Sequence, residues 1–159
     1  MTVEALRGFL DNLEIVHGFI PDMLILDYIG IMHTDPKNPR ISLGRVFADT
    51  CGLCEERHIA LVTAHQSSKL GAQARDLSMT HVAEDWSLTN TADNVILYSC
   101  TPMEFQLGFA RLYVGKARSE VDKYGGLITQ SYKIGQFCLS SVLMPSNYWG
   151  YLDTLKASK

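Results

Sequence analysis

The chain has 159 residues, 47% hydrophobic and 19% charged, which suits one globular domain large enough to bury a real core. A net charge of −3 carries no global basic signature, so any nucleic-acid contact must come from local patches. No apolar stretch approaches the roughly 18 residues needed to span a bilayer, the N-terminus lacks the pattern of a signal peptide, and four cysteines do not make a disulfide scaffold. A cytoplasmic protein with reduced thiols is the expectation.

The first predicted element is a helix from about Val3 to Val16. Leu6, Leu10 and Leu13 share a face at i, i+4, i+7 spacing, Thr2 suits the N-cap, and Glu4 suits the first turn. A strand follows from Met23 to Ile29. It is continuously apolar rather than alternating, as expected of a strand covered on both faces. His33 to Pro39 reads as a loop, with Asp35-Pro36 and Asn38-Pro39 as turn signals. A second helix runs from Ile41 to Arg57, with Leu43, Val46, Phe47, Cys51 and Cys54 as its buried stripe. Ile59 to Thr63 is a second buried strand, and Gln66 lies just past its end.

Ser67 to Ser78 is polar and without period, a mobile loop by this reading. Ala83 to Ala92 reads as a short helix and Asn94 to Ser99 as a third strand. The rhythm then changes. Ala110 to Ala117, Leu127 to Tyr132 and Gln136 to Val142 are strand-like runs, with Gly125-Gly126 and Ile134-Gly135 as hairpin signals. Beyond Pro145 a loose tail is expected, with Tyr148, Trp149 and Tyr151 available to dock it. Strand–helix units followed by an antiparallel meander predict an α/β fold: a mostly parallel sheet with antiparallel strands at its C-terminal edge. The expected division is a domain over 1–144 and a tail over 145–159.

Asp27 sits at the end of the first strand, and Gln66 at the end of the second. In open parallel sheets, ligands bind outside the carboxyl ends of strands. An aspartate there can hold Mg²⁺ through a water, because Mg²⁺ gives up its hydration reluctantly. A glutamine can sense a γ-phosphate or orient the attacking water. A loop cap and a polar strand end fit the same two residues. Lys116 and Arg118, two apart on a strand, project from one face. Such a fork suits a triphosphate, Arg by bidentate contact and Lys as a point charge. A solvated sheet face fits them as well. No G-x-x-x-x-G-K-[ST] phosphate loop occurs anywhere in the sequence, and Gly115-Lys116 is followed by Ala117.

Lys37 and Arg40 lie in the loop after the first strand, and Lys69 and Arg75 in the loop after the second. Two small basic loops on one rim can contact the phosphates of a single strand of nucleic acid, or they can simply be solvated. Cys51-Gly52-Leu53-Cys54 has the C-x-x-C spacing of redox and zinc sites. It falls inside a helix already in progress, and Cys100 and Cys138 stand alone, so helix packing is the better reading. The five histidines are scattered without ligand spacing.

Taken in order, four segments carry a resemblance. They are Asp27-Tyr28 after an apolar strand, Ala64-His65-Gln66-Ser67, Ala83-Glu84-Asp85-Trp86-Ser87 with Ala92-Asp93, and Lys116-Ala117-Arg118. Together they resemble the RecA-like ATPase domain of the DnaB-type replicative helicases, phage-type versions in particular, from about Leu6 to Val142. The resemblance implies that Asp27 is the Walker B aspartate, that Gln66 couples the γ-phosphate to the DNA loops, and that Lys116 and Arg118 enter a neighbouring subunit's ATP site. It implies ATP and Mg²⁺ as cofactors and single-stranded DNA as partner. It also implies a hexameric ring, or a companion chain carrying the Walker A loop. Without that loop the chain alone should be inactive. Another RecA-fold ATPase, such as a recombinase, and a non-catalytic interaction module are the alternatives.

Overall fold

The computed structural model describes residues 1–66, 86–119, 124–142 and 144–157, which fall into two compact units. The first holds residues 1–66 and the helix Trp86–Thr91. The second holds the described residues from Ala92 onward.

In the first unit, helix α1 spans Val3–His17. Thr2 Oγ1 accepts from the Ala5 N–H at 3.1 Å, satisfying one of the amides that a helix start leaves open. Gly18 ends the helix in a left-handed conformation, φ 60°, with its N–H on the Glu14 carbonyl at 3.0 Å. Strands β1 (Met23–Leu26) and β2 (Ala60–Thr63) pair in parallel, Leu24 opposite Leu61 and Leu26 opposite Thr63. Helix α2, Pro39–Glu56, makes the crossover between them. Its first residue is Pro39, so the Asn38-Pro39 signal marks a helix start, where proline's missing N–H costs nothing. Helix α3, Trp86–Thr91, packs against α2 and buries Leu88 and Thr89.

Leu6, Leu10, Leu53, Cys54 and Ile59 form the core of this unit, with Leu13, Leu24 and Leu61 packed against it. Burying each large side chain contributes about 1.5–3 kcal/mol. A polar clamp closes over it. Arg57, just past α2, bonds Asp11 and Glu14 of α1, and Arg7 of α1 bonds Glu56 at 2.8 Å. One expectation fails here. Only one face of the parallel pair is covered: Met23 is 52% exposed, Ile25 71% and Val62 47%. Strand alternation sends Leu24 and Leu61 to the core and these three residues to the other side.

The second unit is an antiparallel sheet in the order β3 (Asn94–Ser99), β4 (Phe109–Ala117), β5 (Tyr124–Ser131), β6 (Gln136–Ser141). Parallel strands first and antiparallel strands after is the mixed α/β order read from the sequence. Helix α4, Pro102–Leu107, links β3 to β4 and starts in a capping box. Thr101 Oγ1 accepts from the Glu104 N–H, and the Glu104 carboxylate accepts from the Thr101 N–H. Ile134-Gly135 does form the turn between β5 and β6, with Gly135 at φ 61°.

Gly125-Gly126 is not a turn. Both residues lie in β5, opposite Tyr113 and Leu112 of β4. A Cβ on Gly126 would stand 2.9 Å from the Ser141 carbonyl oxygen, so glycine there serves a close backbone approach. The expected loose tail is also corrected: residues Tyr148–Ala157 form helix α5, with Tyr148 and Leu152 buried.

Candidate functional site

In the first unit the candidate residues converge on one edge. Asp27 follows β1 directly and is exposed, while Gln66 lies just past β2 and is also exposed. Because β1 and β2 are parallel neighbours, both stand at the carboxyl edge of the pair. The turn that carries Asp27 is held by Thr63. Its Oγ1 donates to the Leu26 carbonyl at 2.8 Å and accepts from the Ile29 N–H at 3.1 Å. One side chain of β2 thus grips the backbone on both sides of Asp27. The Asp27–Tyr28 peptide bond is cis. A short 3-10 turn, Ile29–Ile31, follows and buries Ile29 beneath the site.

The Asp27 carboxylate has no hydrogen bond or ion pair among the described residues. It is therefore able to accept hydrogen bonds from the water shell of a metal ion. A single exposed carboxylate suits Mg²⁺ held through water rather than a dehydrated ion in a protein cage. Consistent with that, no group of three or more His, Cys, Asp or Glu positioned to hold a metal occurs among the described residues.

Lys37 sits in the loop that leads from this edge to α2. Its N–H donates to Asp35 Oδ1 at 2.9 Å, and the Asp35 N–H donates to Ser42 Oγ at 2.7 Å, so the loop is tied to the helix start. Arg40 is in the first turn of α2. Since α2 leaves the carboxyl end of β1, both cations follow the same edge as Asp27. Lys69 and Arg75 lie outside the described residues.

In the second unit, Lys116 is near the end of β4, paired with Val95 of β3. The register slips between Val95 and Ile96, leaving Gly115 without a partner in the ladder. Arg118 lies one residue past the strand. Its N–H donates to the Asp93 carbonyl at 3.0 Å, and its Nη1 contacts Asp93 Oδ1 at 2.6 Å. Both side chains of that ion pair remain more than half exposed. Asp93 belongs to one of the sequence segments noted above, yet no role follows from the sequence. Its relation to Arg118 needs the β3–β4 register.

A buried charge network in the second unit has no sequence signal at all. Glu104 is fully buried and Arg111 is 6% exposed. Arg111 Nε donates to Glu104 Oε1 at 2.7 Å and Nη2 donates to Ser99 Oγ at 2.9 Å. The guanidinium carbon lies 4.4 Å from the Trp149 ring centroid. Tyr148 donates to Glu104 Oε1 at 2.6 Å. Burial alone would raise the Glu104 pKa; the hydrogen bonds from Arg111, Tyr148 and Thr101 outweigh it and hold the carboxyl below its usual range. Burial, then the adjacent carboxylate, pushes the Tyr148 phenol well above its ordinary value. These groups are spoken for by each other, so the network anchors α4 and α5 to the sheet.

The C-x-x-C pair resolves as packing. It lies within α2, Cys54 is 2% exposed in the core, and burial pushes its thiol up, away from a reactive thiolate. Cys51, Cys54, Cys100 and Cys138 are all free thiols. No helix among the described residues is long and apolar enough to cross a membrane.

No protein-family profile matches the chain. A DnaB-like replicative helicase of Enterobacteria phage T4 is 28% identical over 92 residues, 55% of this chain and 19% of that protein. Among solved structures, an isolated helicase ATPase domain superposes with a TM-score of 0.72 at 12% identity, covering 86% of this chain and 51% of that one. A DnaB-like replicative helicase, solved in a study of its interactions with primase, gives the same TM-score and identity over 86% of this chain and 35% of its own. The chain thus spans about a fifth of the curated relative and between a third and a half of the two structures. The fold is that of a DnaB-type helicase ATPase domain, and the sequence likeness and the four ordered segments point to the same family.

Proposed function

We propose that this chain is part of the ATPase motor of a ring-forming, DnaB-type DNA helicase working in the cytoplasm of a bacterium or phage-infected host. The reading rests above all on one observation: Asp27 and Gln66 share the carboxyl edge of a parallel strand pair, in a chain whose fold matches helicase ATPase domains at a TM-score of 0.72. Asp27 holds Mg²⁺ of an Mg²⁺–ATP complex through water. Gln66, on the neighbouring strand, reports the presence of the γ-phosphate. Lys116 and Arg118 act on the phosphates bound by an adjacent subunit, where positive charge stabilises the transition state. Lys37, Arg40, Lys69 and Arg75 contact the backbone of single-stranded DNA in the ring's channel.

The phosphate loop must come from elsewhere, because the sequence contains no G-x-x-x-x-G-K-[ST]. A Walker A segment, joined to this chain or carried by a companion, supplies the backbone cradle for the phosphates. The exposure of Met23, Ile25 and Val62 supports such a segment, since apolar side chains in one row on an uncovered sheet face gain from being buried. The same exposure favours one further reading, a non-catalytic module that docks a partner through this face.

A direct test combines this chain with the segment of its source that encodes G-x-x-x-x-G-K-[ST] and measures DNA-stimulated ATP turnover. Turnover by the mixture, and by neither part alone, is the expected result. A mixture of two folded parts that stays inactive overturns the motor reading and leaves the docking module.

A further inference from the structure

Arg118 is the residue on which the trans-acting role depends most, and the structure shows what orients it. A flexible arginine just past the end of a strand has no packing to choose its direction, and its side chain is 63% exposed. Two bonds to a single residue constrain it: backbone N–H to the Asp93 carbonyl at 3.0 Å, and Nη1 to Asp93 Oδ1 at 2.6 Å. The register explains the match. Asn94 pairs with Ala117, so Asp93 and Arg118 are the next positions out on the two strands. The carboxylate occupies only Nη1. Nε and Nη2 have no partner among the described residues, and that pair of donors is enough to bind a phosphate bidentately.

We infer that Asp93 is a positioning residue: it holds the Arg118 guanidinium by one terminal nitrogen at the end of β4 and leaves a donor edge for the phosphates of a nucleoside triphosphate in the adjacent subunit. This rests on the trans-acting reading of Arg118 given above. The carboxylate never touches the nucleotide. It acts by restricting the arginine to orientations from which the phosphate is reachable, so its loss affects the catalysed step more than substrate binding.

The experiment is a double-mutant cycle in the DNA-stimulated, reconstituted ATPase. Asp93→Ala lowers kcat roughly tenfold, a moderate loss for a misoriented group, with KM for ATP unchanged. Asp93→Glu retains most of the rate. Arg118→Ala abolishes turnover while ATP still binds, and adding Asp93→Ala to it causes no further loss. Wild-type turnover by Asp93→Ala alongside an inactive Arg118→Ala overturns the inference and leaves the reading of Arg118 intact. Full turnover by Arg118→Ala overturns both. A second measurement needs only this chain. In arginine side-chain NMR, the Arg118 Nε–H is restricted in the wild type and mobile in Asp93→Ala. Equal mobility in the two proteins overturns the inference whatever the ATPase does.

Discussion

The Glu104 carboxylate and the Arg111 guanidinium meet at 2.7 Å with both side chains inside the second unit. A buried pair of this kind is weak evidence of net stabilisation, because desolvation offsets much of the attraction. Removing one partner is a different matter, since the other charge is left buried and uncompensated. Arg111→Ala is therefore expected to cost about 3–5 kcal/mol, read as a lowered urea midpoint. Arg111→Ala at wild-type stability would show that water reaches Glu104 freely.

The same network sets a pH window. Glu104 titrates below its ordinary value of 4.5, so the folded state holds the carboxylate ionised where the unfolded chain already takes up a proton. Stability from this group is present above about pH 4.5 and is lost as pH falls through the depressed value. Tyr148 is shifted the other way, up from 10.0, so its contribution is intact below pH 10 and is lost as pH rises beyond it. Tyr148→Phe should remove the alkaline loss due to this group. It should also cost about 1.5–3 kcal/mol near neutrality, the worth of a hydrogen bond to a charged partner. Melting temperature against pH for both proteins checks this, and identical alkaline limbs would count against it.

Thr63 offers a way to disturb Asp27 without touching it. Its hydroxyl serves the Leu26 carbonyl and the Ile29 N–H together, and valine has the same shape with no hydroxyl. Thr63→Val leaves both backbone groups unserved and is expected to destabilise by about 1–3 kcal/mol. Thr63→Ser, which keeps the hydroxyl, should recover most of it. Hydrogen exchange at the Ile29 amide locates the effect, and unchanged protection there in Thr63→Val would refute the bridge.

Which parts were legible in the sequence follows from how far apart the partners lie. α1 was legible because its cap Thr2, its stop Gly18 and its leucine spacing are all local. The Asp27 and Gln66 placements followed from parallel strands ending together, a rule of topology that needs no contact information. Gly125-Gly126 was misread because a glycine pair reports small size, and size serves either a turn or a close strand approach. Only the pairing to Leu112 and the nearness of Ser141 decide between them. Ser99, Glu104, Arg111 and Tyr148 follow no period, and α5 docks through contacts from Tyr148 to a residue distant in sequence. The one-sided exposure of β1 was hidden as well, since a continuous apolar run reads the same whether one or both faces are covered.

Core and surface leucine-like residues on α1 should separate cleanly. Leu10 is 2% exposed among Leu6, Leu53, Cys54 and Ile59, and Ile15 is 82% exposed on the same helix. Leu10→Ala is expected to cost about 2–5 kcal/mol through lost burial and a residual cavity. Ile15→Ala should stay within about 0.5 kcal/mol. Comparable losses from both would mean that the outer face of α1 is covered in solution.

The chain on its own should not bind ATP at micromolar concentration. A Kd of 1 μM requires about −8.2 kcal/mol, and in nucleotide sites of this class much of that comes from backbone N–H groups wrapped around the β- and γ-phosphates. The sequence supplies no such loop. What it does supply at the carboxyl edge of β1 and β2 is an exposed carboxylate that repels the triphosphate until Mg²⁺ intervenes. Arg118 is engaged by Asp93 and, as proposed, addresses a neighbour's nucleotide. Titration calorimetry with Mg²⁺–ATP should therefore show no binding heat in the micromolar range, and the heat should appear once the Walker A segment is added. Tight binding by the chain alone would mean that a phosphate cradle exists here that uses none of these parts.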